Sequence, residues 1–318
     1  MNIDFKKALV TGGAGFIGSH LVEALTAAGC EVAVLDNLSG GDLFNLESVN
    51  THITFYEEDI RQLDALEQAA AGCDVIFHLA AVVAVQQTIE DPIDSTMVND
   101  IGMLNVLEAA RKTNVRCVVL ASSCAVYGDD PRLPKEESMT PMPTSPYAVH
   151  KLSGEHYLRV YSELFGLKTA SLRFFNVFGP RQNPSSPYSG VISIFMSKAA
   201  SHQAPVIYGD GKQTRDFVYV NDVVKALLLA AKTDGKAGDV YNIGSGSRVT
   251  INRLWELIAS LSGQQLEPVY QPARAGEILH SVGNVDKARS LLKFKNDFSL
   301  ERGLELTLEW YRGQGNED

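Results

Sequence analysis

Leu9-Val-Thr-Gly-Gly-Ala-Gly-Phe-Ile-Gly18 is a glycine-rich stretch between an apolar run and an amphipathic segment. The run 8–10 predicts a buried strand, residues 12–18 predict a tight turn, and residues 20–25 predict the helix that follows. Such a turn brings free backbone N–H groups and the positive end of a helix dipole to one point, where a pyrophosphate can bind. The stretch therefore predicts a dinucleotide site near the start of the chain.

The residues after the turn strengthen this prediction. A GxGxxG pattern alone is weak evidence, because a βαβ unit can be glycine-rich without binding a ligand. Here a second apolar strand, 31–35, follows the helix and ends at Asp36, 18 residues after Gly18. A carboxylate at that place can accept hydrogen bonds from both hydroxyls of an adenosine ribose and would repel a 2′-phosphate. The sequence therefore predicts NAD in preference to NADP.

Composition and charge limit the classes of protein that this chain can be. Its 318 residues, 45% of them hydrophobic, can bury a full core as one large domain or two closely joined ones. A net charge of −10 without a basic run argues against a nucleic-acid partner or a membrane surface. The four cysteines form no CxxC pair, and the seven histidines show no metal-ligand spacing. With no signal peptide or membrane-spanning run, we expect a cytoplasmic protein without a metal site.

Strand and helix patterns alternate through the first 180 residues. This alternation predicts an α/β fold, a Rossmann-type doubly wound parallel sheet, with a smaller C-terminal substrate-binding domain. We assign residues 1–180 to the NAD-binding domain, with returning segments near 215–246, and residues 181–318 mainly to substrate binding. Further strands are predicted at 53–60, 74–81 and 115–122, and helices at 64–71, 95–113 and 300–311.

A further predicted helix carries a pair of polar residues. Ser145-Pro146 predicts the start of a long helix that ends near Phe165, because serine caps helices well and proline suits the first helical position. Tyr147 and Lys151 lie four residues apart and therefore share one face, with Cβ atoms about 5–6 Å apart. Such a pair is common on any helix, but beside a dinucleotide loop it indicates function.

Seven motifs in this order carry a family resemblance over nearly the whole chain. Together they resemble extended short-chain dehydrogenases/reductases that act on nucleotide sugars, and most of all the UDP-hexose 4-epimerases. The motifs are TGGAGFIG (11–18), Asp59-Ile60, HLAA (78–81), SSCAVYG (122–128), Tyr147-x-x-x-Lys151, RFFNVFGP (173–180) and QTRDF (213–217).

The resemblance implies a catalytic trio of Ser123, Tyr147 and Lys151. Tyr147 would take the proton of the sugar 4-hydroxyl while hydride passes to NAD. Its reference pKa is near ~10, so it needs the positive charges of Lys151 and the nicotinamide ring to act as a base at neutral pH. Ser123 would hold the same hydroxyl. The 4-keto sugar would then turn over and take the hydride back on its other face.

The turn and the resemblance together predict the remaining site residues. The predicted cofactor contacts are Gly12, Gly15, Phe16, Ile17, Asp36, Asn37, Ser39, Gly40, Asp59, Ile60, Leu79, Ala80, Ala81, Asn99, Ser122, Tyr147 and Lys151. The predicted substrate contacts are Ser123, Asn176, Val191, Tyr208, Arg215, Arg274, Glu277 and Ser281. Among these, Asn176 and the two arginines are implied at the diphosphate, and Val191 and Tyr208 near the uracil.

Several alternatives stay open at this point. Related dehydratases and uronate decarboxylases carry acidic residues where this chain has Cys124 and Ala125, which argues for an epimerase. A small Ser281 leaves room for an N-acetyl group, so we expect UDP-GlcNAc and UDP-GalNAc, with UDP-glucose and UDP-galactose also accepted. The main rival is a UDP-glucuronate 4-epimerase. A non-catalytic NAD-binding module is a rival of another class, although it would not need the catalytic trio.

The resemblance also implies a partner and marks some departures. Members of this family commonly pair through two helices per subunit, here around residues 98–113 and 147–165, so we expect a homodimer. Departures from the family pattern at Phe174, Glu277 and Asn284 affect residues near the ribose and diphosphate.

Overall fold

The computed structural model describes residues 3–184, 190–233, 235–263, 265–273 and 279–314. The strands are β1 (Lys7–Thr11), β2 (Glu31–Leu35), β3 (Ile53–Tyr56), β4 (Val75–His78), β5 (Cys117–Ser123), β6 (Lys168–Phe174), β7 (Asn176–Phe178), β8 (Val206–Tyr208), β9 (Thr214–Arg215), β10 (Phe217–Tyr219), β11 (Asp239–Ile243), β12 (Val249–Thr250) and β13 (Val269–Gln271). The helices are α1 (Phe16–Ala27), α2 (Leu63–Ala70), α3 (Val85–Glu90), α4 (Pro92–Thr96), α5 (Gly102–Lys112), α6 (Pro146–Phe165), α7 (Val191–Ala200), α8 (Val220–Lys232), α9 (Ile251–Ser262) and α10 (Leu300–Gln314). Leu43–His52 and Cys124–Tyr127 form 3₁₀ segments, and Met97–Ile101 and Ala288–Leu292 form π-helical turns.

The main sheet is parallel, and its strand order within the described residues is β11-β6-β5-β4-β1-β2-β3. From β1 the chain builds outward through β2 and β3, and then continues on the other side of β1 with β4, β5 and β6. This reversal leaves a crevice at the carboxyl ends of β1 and β4, where ligands bind in open α/β sheets. The predicted Rossmann-type doubly wound parallel sheet is confirmed.

Successive strand residues bury opposite faces of the sheet. Val10 belongs to an apolar cluster with α1 and α8, whereas its neighbour Leu9 belongs to a cluster with α2, α5 and α6. Helices thus cover both faces, which explains why the strands read as unbroken apolar runs in the sequence. Each fully buried side chain of this size contributes roughly 1.5–3 kcal/mol relative to an exposed one.

A third apolar cluster joins α7, α9 and α10. The ring of Trp255 meets that of Phe195 edge-on, with centroids 5.6 Å apart. In α10, Leu304 and Leu308 are buried four residues apart, which confirms the predicted C-terminal helix. Short two-stranded sheets, β7 with β10, β8 with β13 and β9 with β12, surround this cluster. Nowhere in the described ranges is a helix both long and apolar enough to cross a membrane.

Two predicted elements differ from the observed ones. The strand predicted at 53–60 ends at Tyr56, because its partner β2 ends at the paired Leu35 and offers no further ladder. The helix predicted at 95–113 is α4 and α5 joined by the π-helical turn Met97–Ile101. This turn carries Asn99, whose buried side chain binds the loop after β4. The π-helical turn therefore coincides with the contact of Asn99 to a distant loop, and local helix propensity did not predict this irregularity.

Candidate active site

The glycine turn joins β1 to α1 at the edge of the crevice. Gly12 has φ +71°, and a Cβ there would lie 2.7 Å from the backbone nitrogen of Ala80. A Cβ on Gly18 would clash with the carbonyl oxygen of Gly12, so both positions require glycine. Gly15 is the N-cap of α1, and among the described residues a Cβ there would meet only the same Gly12 oxygen, at 3.2 Å. The helix start, with Phe16 and Ile17 in its first turn, is therefore open to a ligand.

Asp36 follows β2 and is only 7% exposed. Its Oδ2 accepts the backbone N–H of Ala14 at 2.9 Å, and its Oδ1 accepts that of Leu38 at 2.9 Å. Burial raises the pKa of this carboxyl, although both hydrogen bonds act in the opposite direction. Each carboxylate oxygen can accept a second hydrogen bond, so Asp36 can hold the glycine turn and a ribose diol together.

Five of the predicted cofactor residues, which follow β2 and β3, lie together at one rim of the sheet. Asn37 donates from Nδ2 to Asp59 Oδ2 at 2.8 Å, and the Ser39 hydroxyl donates to Asn37 Oδ1 at 2.7 Å. Gly40 continues this exposed segment, whereas Ile60 is buried. The structure thus brings the five predicted residues from two separate loops to one place.

The loop after β4 contains Leu79, Ala80 and Ala81, which follow the strand into the crevice. Asn99 holds this loop at two points: its Oδ1 accepts the N–H of Val82 at 2.8 Å, and its Nδ2 donates to the Val82 oxygen at 3.0 Å. Asn99 is only 8% exposed, so its side chain binds the predicted cofactor loop from within the protein.

The predicted catalytic trio meets at the carboxyl end of β5. Ser123 ends this strand, and its Oγ accepts the N–H of Ala125 at 3.2 Å. Tyr147 lies in the first turn of α6, and the Ser123 hydroxyl is close enough to its phenol to act on the phenol pKa. One turn later, Lys151 donates from Nζ to the oxygen of Ala121 at 2.9 Å, and this nitrogen lies 5.7 Å from the centre of the Tyr147 ring.

Burial dominates the electrostatics of the trio. It raises the pKa of Tyr147 to about 12, although the nearby Ser123 hydroxyl acts in the opposite direction. It lowers the pKa of Lys151 to about 8, because removal from water disfavours the ammonium. Burial therefore outweighs the effect by which Lys151 is expected to lower the pKa of the phenol.

Two predicted substrate residues lie near Cys124, the residue that follows Ser123. Ser281 and Arg215 both lie close enough to Cys124 to favour its thiolate. Burial nevertheless raises the pKa of Cys124 to about 12, so the thiol is neutral. Arg215 also donates from Nη1 to the oxygens of Thr214 and Leu279 at 3.0 and 3.3 Å. Two of the predicted substrate residues, Ser281 and Arg215, are thus close to the residue that follows Ser123.

The remaining predicted substrate residues lie on the elements that follow β6. Asn176 begins β7, Val191 begins α7 and Tyr208 ends β8. The backbone oxygen of Tyr208 accepts the side-chain N–H of Gln213 at 2.7 Å. The other two, Arg274 and Glu277, lie outside the described residues.

Comparison with known proteins identifies the family. The family model for NAD-dependent epimerases and dehydratases matches residues 8–244, which contain the glycine turn, Asp36 and the catalytic trio. The chain belongs to this family. The predicted resemblance is therefore confirmed, and NAD is the cofactor of this epimerase.

Three relatives match this epimerase over nearly its whole length. A putative UDP-glucose 4-epimerase of Methanocaldococcus jannaschii is 40% identical and covers 96% of this chain and 98% of its own. The solved UDP-N-acetylglucosamine 4-epimerase from Methanobrevibacter ruminantium, in complex with UDP-N-acetylmuramic acid, has a TM-score of 0.94 with 40% identity and covers 99% and 100%. The UDP-glucose 4-epimerase of Thermotoga maritima, solved with UDP-glucose, has a TM-score of 0.92 with 39% identity and covers 97% and 99%.

The residues of this epimerase fit NAD. The open start of α1 at Gly15 offers backbone N–H groups and the positive end of the helix dipole to a pyrophosphate. Asp36 offers unused acceptor positions to a ribose diol, as the sequence predicts for NAD. Ser122 is placed differently from the other predicted cofactor residues, because its hydroxyl donates to Glu155 at 2.6 Å and is turned away from the crevice.

Two residues of the epimerase site were missed by sequence reasoning. Arg61 donates to Asp59 from Nε and Nη2 at 3.0 and 2.8 Å and holds the pKa of that carboxyl below its usual range. Asp216 is fully buried, and its carboxylate accepts the N–H groups of Ser245 and Gly283 at 2.7 and 3.1 Å. An acid inside the apolar run 216–220 was the signal for Asp216, because a carboxylate there needs several donors.

Proposed function

We propose that the chain is a UDP-sugar 4-epimerase that interconverts UDP-GlcNAc and UDP-GalNAc and also accepts UDP-glucose and UDP-galactose. The observation that carries this proposal is the closeness of the Tyr147 phenol to the Ser123 hydroxyl, beside Lys151 and the crevice of the glycine turn. A module that only bound NAD would have no use for a proton-transfer pair at this point.

The residues divide the chemistry between them. NAD, when bound, supplies an acceptor and then a donor of hydride, so no second substrate is consumed. Tyr147 as phenolate takes the proton of the sugar C4 hydroxyl, and Ser123 holds that hydroxyl. An ammonium has three donors, so Lys151 can bind the nicotinamide ribose while it keeps its bond to the Ala121 oxygen. The 4-keto sugar turns over in the cleft, so that its other face is reduced.

Deprotonation of Tyr147 depends on positive charge near the phenol. Burial alone holds its pKa at about 12, so the phenolate is scarce at neutral pH. The nearby ammonium of Lys151 and the cationic cofactor ring act in the opposite direction. Because the pKa of Lys151 is about 8, we expect the rate to increase with pH as the phenolate population grows, and to fall again above about pH 8, where Lys151 loses its proton.

Cys124 and Ala125 support epimerisation over elimination of water or CO₂. A dehydratase or decarboxylase needs a further acid or base at these positions. The thiol of Cys124 has a pKa of about 12 and holds its proton, and alanine has none to exchange. Neither side chain can replace a carboxyl group in that role.

The substrate assignment rests on small side chains and on the arginines. Ser281 lies close to Cys124, and its side chain is smaller than the tyrosine that would limit the room beside the sugar C2 group. Arg215 can bind a diphosphate with charge-assisted hydrogen bonds. We assign the diphosphate to Asn176, Arg215 and Arg274, the uracil to Val191 and Tyr208, and a further substrate contact to Glu277.

We also assign residues 1–180, with 215–246, to NAD and residues 181–318 mainly to the nucleotide sugar.

Proton NMR of the purified protein tests the reaction and its substrate together. UDP-GlcNAc, UDP-glucose and UDP-glucuronate are added in separate samples without reductant. We expect the C4 epimer of UDP-GlcNAc to form at least as fast as that of UDP-glucose. Faster turnover of UDP-glucose would overturn the N-acetyl assignment, and epimerisation of UDP-glucuronate alone would support the rival enzyme. A 4-keto-6-deoxy or pentose product would exclude the proposed reaction.

We also propose that the chain is a homodimer. Ile93, Met97 and Ile101 follow one another at four-residue intervals along α4 and the π-helical turn, and they are 78%, 44% and 38% exposed. Val149 on α6 adds a further exposed apolar side chain, at 46%. A contiguous apolar surface of this kind favours association, and a second copy offers a matching one.

A further inference from the structure

A buried ion pair lies behind the catalytic residues, between α6 and β6. Arg173 donates from Nε to Oε1 of Glu155 at 2.9 Å and from Nη2 to Oε2 at 2.7 Å. Both side chains are 4% exposed. A buried pair of this kind often stabilises a fold no better than apolar residues would, so its presence calls for another explanation.

Glu155 also holds the strand that ends at the catalytic serine. The hydroxyl of Ser122 donates to Glu155 Oε1 at 2.6 Å. One turn earlier on α6, Lys151 donates to the oxygen of Ala121 at 2.9 Å. Two side chains on one face of α6 therefore bind two consecutive residues of β5. The next residue of β5 is Ser123, and the preceding turn of the same helix face carries Tyr147.

Arg173 reaches the chain on the other side of the serine. Its Cζ lies 4.7 Å from the centre of the Tyr127 ring, at the end of the 3₁₀ segment that Ser123 caps. The Tyr127 hydroxyl in turn donates to Asn242 Oδ1 at 2.7 Å. The ion pair therefore contacts residues both before and after Ser123.

We propose that Glu155, with Arg173 as its counterion, is a positioning residue for the Ser123–Tyr147 pair. It sets the register of α6 against the end of β5, so that the two hydroxyls stay within hydrogen-bond distance while the sugar turns over. A charge-assisted hydrogen bond is shorter and stronger than a neutral one, which makes Glu155 better suited to this task than an amide. Arg173 balances the carboxylate charge, so the pair adds no net charge one turn from Lys151. This inference rests on the proposed catalytic roles of Ser123 and Tyr147.

Ser122→Ala tests the inference, because it removes the link to β5 and leaves the ion pair in place. We expect kcat for the substrate to fall roughly 10- to 100-fold, since small misplacements of reacting groups have effects of this size. KM and the NAD content should change little, and the melting temperature should fall only by the amount that the loss of one buried hydrogen bond causes. If Ser123 moves away from Tyr147, its lowering effect on the pKa of the phenol becomes weaker, so the ascending limb of kcat against pH should move to higher pH.

Ser171→Ala is the matched control. Ser171 lies in the neighbouring strand β6, is fully buried, and its hydroxyl has no hydrogen-bond partner among the described residues. Its kcat and pH profile should match those of the unsubstituted protein.

A third variant, Tyr147→Phe, separates the two proposals. If Tyr147→Phe keeps its turnover, the proposed catalytic role fails. If Tyr147→Phe is inactive and Ser122→Ala behaves like Ser171→Ala, the positioning role is overturned while the catalytic one stands. A loss of activity in Ser122→Ala that is explained by a fall in NAD content, or by unfolding at the assay temperature, would also overturn the positioning role.

Discussion

Tyr147 and Lys151 are the two residues of the proposed reaction whose pKa values the fold shifts. Burial disfavours the charged form of each, so the pKa of the phenol is about 12 and that of the ammonium about 8. The pair was predictable from its spacing on a helix next to a dinucleotide turn. The direction of the phenol shift was not, because it depends on how much protein surrounds the ring, which residue identity does not specify.

Ser281 carries a prediction at the same scale. Ser281→Tyr would fill the space beside Cys124, and overpacking of this kind costs about 1–3 kcal/mol. We expect kcat/KM for UDP-GlcNAc to fall roughly 10- to 100-fold, because 1.4 kcal/mol corresponds to a factor of ten. Turnover of UDP-glucose by the same variant serves as the internal control and should be retained. An equal loss for both sugars would show that the side chain does not control substrate choice.

At the level of elements, β1, the glycine turn and α1 form a unit whose geometry leaves no room for larger residues. A Cβ on Gly18 would meet the Gly12 oxygen, and one on Gly12 would meet Ala80 on the loop after β4. The turn therefore sets the distance between α1 and two strands at once. Local sequence was sufficient to predict this unit, since its glycines and its apolar strand are contiguous.

Gly18→Ala tests this unit. We expect the substitution to lower the free energy of unfolding by about 1–3 kcal/mol and to reduce the NAD that copurifies with the protein, because α1 must move away from the turn. Urea unfolding and the absorbance of released cofactor measure the two effects. Gly313→Ala in α10, where a Cβ has nothing within 4 Å among the described residues, is the control and should leave both unchanged. Full NAD content in Gly18→Ala would contradict the assignment of the turn.

The start of helix α6 is specified by the residues next to it in the sequence. Ser145 accepts the N–H of Ala148 and Pro146 occupies the first turn, so the helix begins where the sequence predicts. The π-helical turn before α5 had no such local signal. Its Asn99 is held by Val82, 17 residues away, and only the packed loop supplies that contact.

At the scale of the whole molecule, the proposed dimer makes a prediction about mass. Ile93→Glu places a charge in the most exposed side chain of the apolar stripe and should yield a monomer by light scattering at micromolar concentration. Leu291→Glu introduces the same charge at a leucine that is 53% exposed outside these helices, and it should leave the mass unchanged. A monomeric unsubstituted protein would refute the dimer.

The sequence by itself determined the doubly wound sheet, the glycine turn, Asp36 and the start of α6. Each of these depends on neighbouring residues: periodic apolar runs, backbone freedom at glycine, or a capping side chain. Only the tertiary structure decided the links between Ser122, Glu155 and Arg173, and the donors that gather at Asp216. These contacts join residues that are far apart in the chain, and the packing of strands and helices selects them after each element has formed. The same packing removes water from Tyr147 and Lys151, which is why their pKa values, unlike their positions, could not be predicted from residue order.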